Sequence, residues 1–370
     1  MILKEIVQRL VVVGTLLIMA GCASAPEVKR RYFWPPLPDE PKIEWVGAYR
    51  SKLDMPRTPY EKFMASFLGL PEAISLNRPL GIVSDGADRV FVSDIVNPSV
   101  LVFDFKKRDV TYLGGGGQDG PGRFNHPSGL AIDRENNLYV CDSADKRIYV
   151  FSPGEKLLRT IDISKITAQP VGLALDNERK RLLVGDVRLQ VVRVLDLEGK
   201  PLFTIGMEGG GDKDGAFLFP GMMAVMKNGN IVVADSMNAR IQIFDPDGKF
   251  IRKFGRRGDS PGDFQLIKGV AIDSENHIYI TEGKAHVVYI FSENGEYLLS
   301  MGGAYTSDAI AAPGGFLIPQ GIYIDGKDTI YVVDQMNRRF QIFQYMNERY
   351  LKEHPVQTEI PTTISAPPAK

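Results

Sequence analysis

Six acidic residues recur along the chain, at Asp94, Asp142, Asp186, Asp235, Glu282 and Asp334. A ring of carboxylates could hold a metal ion or divide acid and base work between neighbours. Three of them are followed five residues on by an arginine, namely Arg147, Arg240 and Arg339. That spacing suits a paired, hydrogen-bonded carboxylate. A set repeated in constant surroundings reads as a loop staple, since chemistry normally breaks the symmetry at one place. Gly258-Asp259-Ser260-Pro261-Gly262 satisfies the nucleophile pattern G-x-S-x-G, which works only between a strand and a helix. Gly115-x-Gly117-x-x-Gly120 fits a dinucleotide fingerprint that likewise needs a following helix. No helical pattern follows either one, so both read as loops. Two cysteines allow one disulfide at most and exclude a Cys-ligated zinc domain.

The elements that would position these residues form a repeat. Gly129-Leu130-Ala131-Ile132-Asp133, Leu138-Tyr139-Val140-Cys141-Asp142 and Arg147-Ile148-Tyr149-Val150-Phe151 are three short apolar runs, and their order recurs six times. Nine residues after each acid stands a bulky apolar residue: Phe103, Phe151, Leu195, Phe244, Phe291 and Phe343. The interval from one acid to the next wanders between 44 and 52 residues. Fixed spacing inside a unit, with slack only between units, describes blades joined by variable loops. A fourth run, such as Phe250 to Phe254, completes a four-stranded antiparallel sheet, with Asp247-Gly248, Asn294-Gly295 and Asn228-Gly229 as turns. One such sheet cannot bury both faces, whereas six arranged radially cover one another. The composition agrees. Thirty-seven glycines are too many for a helix bundle, and 44% apolar residues suffice for a sizeable core.

The motif Pro-x-Gly-apolar-Ala-x-Asp, then Tyr-Val-x-Asp, then Asn-x-Arg-Ile-x-x-Phe and a closing Phe-Gly resembles the NHL-repeat family. Val233-Ala234-Asp235 to Arg240-Ile241-Gln242-Ile243-Phe244 carries its second half most clearly. The fourth unit departs in its first half, where Met222 and Met226 replace the Gly and the Asp, and the fifth has Ile267 for Pro and Glu282 for Asp. The resemblance implies an all-β fold, a six-bladed β-propeller of NHL type over residues 77–351. It also raises amidating-lyase relatives, whose axial zinc is held by several histidines. Of His126, His277, His286 and His354, only His126 falls at an axial position, so no metal or cofactor site is expected and no catalytic residue is assigned. Other NHL propellers bind RNA or belong to ubiquitin ligases. A formal charge of −1 argues against a nucleic-acid partner, and two cysteines are too few for a RING module.

Strand parity places the loops before each first strand and after each second strand at one end of the blades. The residues preceding the Pro-type position there are Arg78, His126, Gln169, Phe219, Leu266 and Ile318. This varied mouth reads as a binding face, with Arg78, His126, Gln169, Arg188, Arg240 and Arg338 as candidates for a ligand or partner and room for a small ligand on the axis. The reading is a protein-binding or scaffold module. The alternative is a lyase or hydrolase with its site at the axial mouth.

Residues 1–21 have Lys4 and Arg9 before the apolar run Leu10 to Met19, a secretory pattern too short for a comfortable membrane span. Met19-Ala20-Gly21-Cys22 resembles the lipobox of bacterial lipoproteins, which implies cleavage before Cys22 and acylation of it. Ala23 then favours the outer membrane, facing the periplasm. Residues 22–42, with Pro26, Pro35, Pro36, Pro38 and Pro41, read as the lipidated cysteine and a Pro-rich tether. Residues 43–76 hold a strand and a short amphipathic helix. Thr58 would cap it, Pro59 begin it, and Tyr60, Phe63, Met64, Phe67 and Leu68 form an apolar stripe expected to lie against the propeller. The sixth blade is expected to take Arg349 to Lys352 as its outer strand, with Ile43 to Tyr49 outside or beside it. Residues 352–370 read as a disordered tail.

Overall fold

Runs of β-branched and aromatic residues broken by tight turns fold as antiparallel sheets. The computed structural model describes residues 31–69, 72–115, 123–303 and 312–356. The chain divides into a unit ending at Tyr32, of which only Arg31 and Tyr32 are described, and a unit beginning at Phe33.

The unit beginning at Phe33 is a six-bladed β-propeller. Blade one comprises β3 (Pro79–Ser84), β4 (Arg89–Asp94), β5 (Ser99–Asp104) and β6 (Asp109–Tyr112). Blade two has β7 (Pro127–Ile132), β8 (Leu138–Asp142), β9 (Arg147–Phe151) and β10 (Leu157–Asp162). Blade three has β11 (Pro170–Asp176), β12 (Arg181–Asp186), β13 (Val191–Asp196) and β14 (Pro201–Gly206). Blade four has β15 (Pro220–Val225), β16 (Ile231–Asp235), β17 (Arg240–Phe244) and β18 (Phe250–Phe254). Blade five has β19 (Ile267–Ile272), β20 (Ile278–Glu282), β21 (Val287–Phe291) and β22 (Tyr297–Gly302). Blade six has β23 (Pro319–Ile324), β24 (Thr329–Asp334) and β25 (Arg339–Tyr345). The first strands meet in ring order, with β23 closing on β3.

The core lies between blades. Six apolar clusters fill the wedges, each drawn from two neighbouring sheets. The glycine of Pro-x-Gly has a packing reason. A Cβ on Gly172 would fall 1.7 Å from the backbone oxygen of Gly221, and one on Gly321 would fall 2.4 Å from that of Leu80. Neighbouring first strands approach too closely there for any side chain. The motif therefore records how tightly the ring is drawn.

The outer strand of blade six differs from expectation. Residues Arg349 to Lys352 lie in the helix α2 (Glu348–Glu353), whose first turn is capped by the Asn347 side chain accepting from the Tyr350 N–H. The place beside β25 belongs to β2 (Ile43–Tyr49), which pairs with it directly from Ile43 opposite Tyr345 to Tyr49 opposite Phe340. The seven-residue run Ile-Glu-Trp-Val-Gly-Ala-Tyr is longer and more apolar than Arg-Tyr-Leu-Lys, so it buries more surface on the sheet. A two-residue β1 (Phe33–Trp34) pairs outside β2. Trp34 packs edge-on against Phe343, with ring centroids 5.7 Å apart.

The helix α1 (Pro59–Leu68) has the expected capping box between Thr58 and Glu61. Its stripe does not pack on the propeller. Met64 and Ala65 are half-buried, but Tyr60, Phe63, Phe67 and Leu68 stand exposed, Leu68 at 78%. The helix leans on the segment 52–57, leaving a cavity of about 450 Å3 lined partly by Leu53, Met55, Met64 and Arg108. The propeller wedges are already filled by the blades, so the stripe finds no place between them. No helix among the described residues is long and apolar enough to cross a membrane.

Candidate functional site

Each second strand ends in its acid at the bottom of a loop, and all six acids are essentially buried. A buried carboxylate must find donors, and these find them in two loops at once. Asp142 accepts the N–H groups of Asn125 at 2.7 Å, His126 at 3.1 Å, and Ala144 and Asp145 at 3.0 Å. Asp94, Asp186 and Glu282 hold the matching four N–H groups of their own blades. In blades four and six a side chain replaces part of the set. Arg240 Nε donates to Asp235 at 2.7 Å, and Arg339 Nε to Asp334 at 2.8 Å. Burial raises the Asp334 carboxyl above the ordinary value, against the opposing pull of Arg339. Arg147 is exposed, and backbone donors serve Asp142 without it. The acids therefore clamp two loops to each other at one end of every blade, here termed the mouth end.

On these clamps the loop is pinned in every blade and the side chains it carries are not repeated. Two residues beyond the acid stand Val96, Ala144, Arg188, Met237, Lys284 and Met336, all six exposed. Val96 is 57%, Met237 55% and Met336 52% exposed. Three large apolar tips and two cationic ones thus project from equivalent positions around the mouth. Exposed Phe219 and Leu218 extend the apolar part beside Met237.

The residues singled out from the sequence divide. Arg78 and Gln169 are exposed, with backbone N–H groups on Asp94 and Asp186. Arg188 and Arg338 are exposed in loops following second strands. His126 is half-buried, and its Nδ1 is buried without a hydrogen-bond partner. Arg240 is not available to a ligand. Its guanidinium holds Asp235 and the backbone oxygens of Asp212, Lys213 and Ala216 at 2.7–3.0 Å.

The axis itself is lined in the main by other residues. A cavity of about 330 Å3 opens among the first strands, walled by Leu80, Val171, Met222, Leu266, Phe219 and Met237, with Ser128, Ser236, Gln320 and Lys268 as polar members. Of the six mouth residues chosen from strand parity, Phe219 and Leu266 belong to it, while Arg78, His126, Gln169 and Ile318 do not. The axial ring is the middle position of Pro-x-Gly, namely Leu80, Ser128, Val171, Gly221, Lys268 and Gln320, two residues beyond those chosen from strand parity. That middle position was readable in the motif, since its neighbouring glycine faces the next blade. Among the described residues, Lys268 is the one titratable side chain lining the cavity. Burial holds its ammonium below the ordinary lysine value, against the influence of Glu282.

Other reactive groups are inert. Cys141 is fully buried and its thiol is pushed up to about 12 by burial, so it is no nucleophile at neutral pH. Ser260 sits on an exposed turn between β18 and β19, with no helix behind it. Most of the run Gly115 to Gly120 lies outside the described residues, as does Cys22. Among the described residues no group of three or more His, Cys, Asp and Glu side chains is placed to hold a metal.

Comparison with known proteins adds to this geometry. Residues 124–151 match the NHL repeat, and residues 221–287 match a family described as 6-bladed beta-propeller. A stretch of 136 residues is 33% identical to Protein brain tumor of Drosophila melanogaster, covering 36% of this chain and 12% of that protein. The chain thus spans a small part of the curated relatives it matches. A Bacteroides thetaiotaomicron protein of unknown function shares the fold with a TM-score of 0.59 at 15% identity, covering 74% of this chain and 71% of the other. A streptogramin B lyase aligns with a TM-score of 0.50 at 11% identity over 73% of this chain and 94% of that one. At such identities the likeness extends to the fold alone.

Proposed function

We propose that this NHL-repeat six-bladed propeller is a lipid-anchored module of the cell envelope that docks a protein partner on its mouth end. The observation that carries the reading is the contrast between loops clamped in every blade and the unlike tips they carry. A metal or catalytic ring would repeat its side chains or gather them at one point. Here Val96, Arg188, Met237, Lys284 and Met336 differ while their backbone N–H groups are all held, three by the acid and those of the two methionines by the Leu218 and Leu317 oxygens. Rigid loops carrying mixed apolar and cationic side chains lower the ordering cost of association. Methionine adapts its shape to the surface it meets. A lyase or hydrolase at the axis needs paired acid and base groups, and the cavity brings a single ionisable side chain. Anchoring through an acylated Cys22, with residence at the outer membrane facing the periplasm, completes the proposal and rests on the sequence of residues 1–22.

Two measurements test it. In affinity purification from solubilised envelopes, Met237→Asp with Met336→Asp is expected to reduce the proteins retained by about tenfold, as loss of interface anchors does. Its melting temperature should stay within about 2 °C, because exposed substitutions rarely exceed about 0.5 kcal/mol. Retention equal to that of the unaltered chain rejects the mouth as the docking face. Cys22→Ser should move the protein from the detergent phase into the aqueous phase on phase separation. Unchanged partitioning rejects the lipid anchor and leaves the docking face untouched.

A further inference from the structure

We propose that the axial cavity binds a small organic monoanion, a carboxylate with an apolar body, through Lys268. The inference does not depend on the protein-docking reading, with which it shares the wall residues Phe219 and Met237, and is carried by two features.

The first is a lone cation in an apolar chamber. Lys268 extends from β19 into a space walled by Leu80, Val171, Met222, Leu266, Phe219 and Met237. Its side chain passes over Gly283, where an added Cβ would lie 3.3 Å from Lys268 Cγ. Glu282, the acid whose charge acts on Lys268, commits its oxygens to the N–H groups of Gln265, Leu266, Lys284 and Ala285. Ser128 donates to the Cys141 backbone oxygen at 3.2 Å, and Gln320 donates to Gln335 at 3.2 Å. Both of these polar wall residues are therefore engaged within the protein, while an ammonium presents three donors and accepts nothing. A single cation in apolar surroundings selects one negative charge, because a dianion would leave half its charge buried and unpaired. The volume is near the lower end for pockets that enclose small organic ligands.

The second feature is the room itself. Five blades have glycine as the third residue of the Pro-x-Gly stretch, where the neighbouring backbone forbids a side chain. Blade four reverses the pair as Gly221-Met222. A Cβ on Gly221 would meet nothing within 4 Å, so packing does not demand glycine there. Its missing side chain instead leaves open the axial space beside Lys268, on the neighbouring first strand, and Met222 supplies part of the wall.

Isothermal titration of the full chain with 4-phenylbutanoate and with 4-phenylbutan-1-ol tests this, the pair differing in the anionic head. The carboxylate should bind saturably, and the alcohol about tenfold or more weakly, the scale of one charge-assisted hydrogen bond. Lys268→Met should weaken the carboxylate by about the same factor and leave the alcohol unchanged. Gly221→Leu fills the chamber and should abolish binding of both. Melting curves of the two variants should overlay the original, which separates a lost site from a lost fold. Carboxylate binding undiminished in Lys268→Met, binding that persists in Gly221→Leu, or no saturable binding by the unaltered chain overturns the proposal.

Discussion

Asp235→Ala should be among the most damaging single substitutions in this protein, lowering stability by about 3–5 kcal/mol. The carboxylate is fully buried and accepts from the Leu218 N–H at 2.6 Å, Arg240 Nε at 2.7 Å and Gln242 Nε2 at 3.0 Å. Removing it leaves the buried Arg240 guanidinium beside three backbone oxygens, with the half-exposed Asp214 at 3.7 Å in place of its buried counter-charge. An uncompensated buried charge costs more than the pair ever contributed. In a domain of this size the loss corresponds to a fall in melting temperature on the order of 10 °C. Asp259→Ala, on an exposed turn, is the control and should change little. Adding Arg240→Met to Asp235→Ala should recover part of the loss, since the stranded charge goes with it. A fall of less than about 1 kcal/mol for Asp235→Ala would show that the clamps are not what fixes the mouth loops.

Deleting residues 33–49 should have an equal or larger effect, because it removes the strand that closes the ring. Without β2, the edge of β25 is left with unpaired backbone groups, a template for association with other chains. The deletion also takes Trp34 from Phe343, Ile43 from the cluster between blades five and six, and the hydrogen bond from Trp45 Nε1 to Gln341 at 3.0 Å. Core truncations of single large apolar residues cost about 2–5 kcal/mol, and several are lost together here. The expected result is a melting temperature lower by more than about 10 °C and concentration-dependent aggregation on size-exclusion chromatography. Deleting Arg349 to Lys352 instead should leave the ring closed and the elution volume unchanged. The opposite ranking of the two deletions would restore the C-terminal segment as the closing strand.

The repeat was legible because it is written in backbone necessities. The acid ending each second strand, the apolar residue nine positions on and the glycine at the blade contact are fixed by burial and steric closeness, so they survive variation elsewhere. The lining of the axis was less legible. The parity argument located the right end of the blades but stopped at Arg78 and His126, two residues short of Leu80 and Ser128. Lys268 escaped notice because Ile267 stands in the place of proline and weakens the motif at that point. Of the exposed tips Arg188 was singled out from the sequence, and the others escaped for a different reason: nothing in their residue types links Val96 to Met237, only their equal distance from a clamp. The stripe on α1 predicted burial correctly as a pattern and wrongly as an outcome, since amphipathicity shows a face without showing what meets it. Closure failed as a sequence inference because it turns on competition between two distant segments for one edge.

That closure has a consequence for how the protein comes into being. Trp45 is bonded to a residue 296 positions later in the chain. As the chain emerges, β2 and the short β1 that pairs with it have no place to go until β25 follows, so the earliest strands are the last to settle. Contacts of such long sequence separation are slow to form, because their loop entropy must be overcome before they return anything. Blades one to five can assemble from neighbours as they appear, and the sixth waits for both ends. The propeller is thus finished by a single late event that joins its two ends. Anything that occupies Ile43 to Tyr49 in the interval, whether a chaperone or the edge of another chain, decides whether the ring is completed.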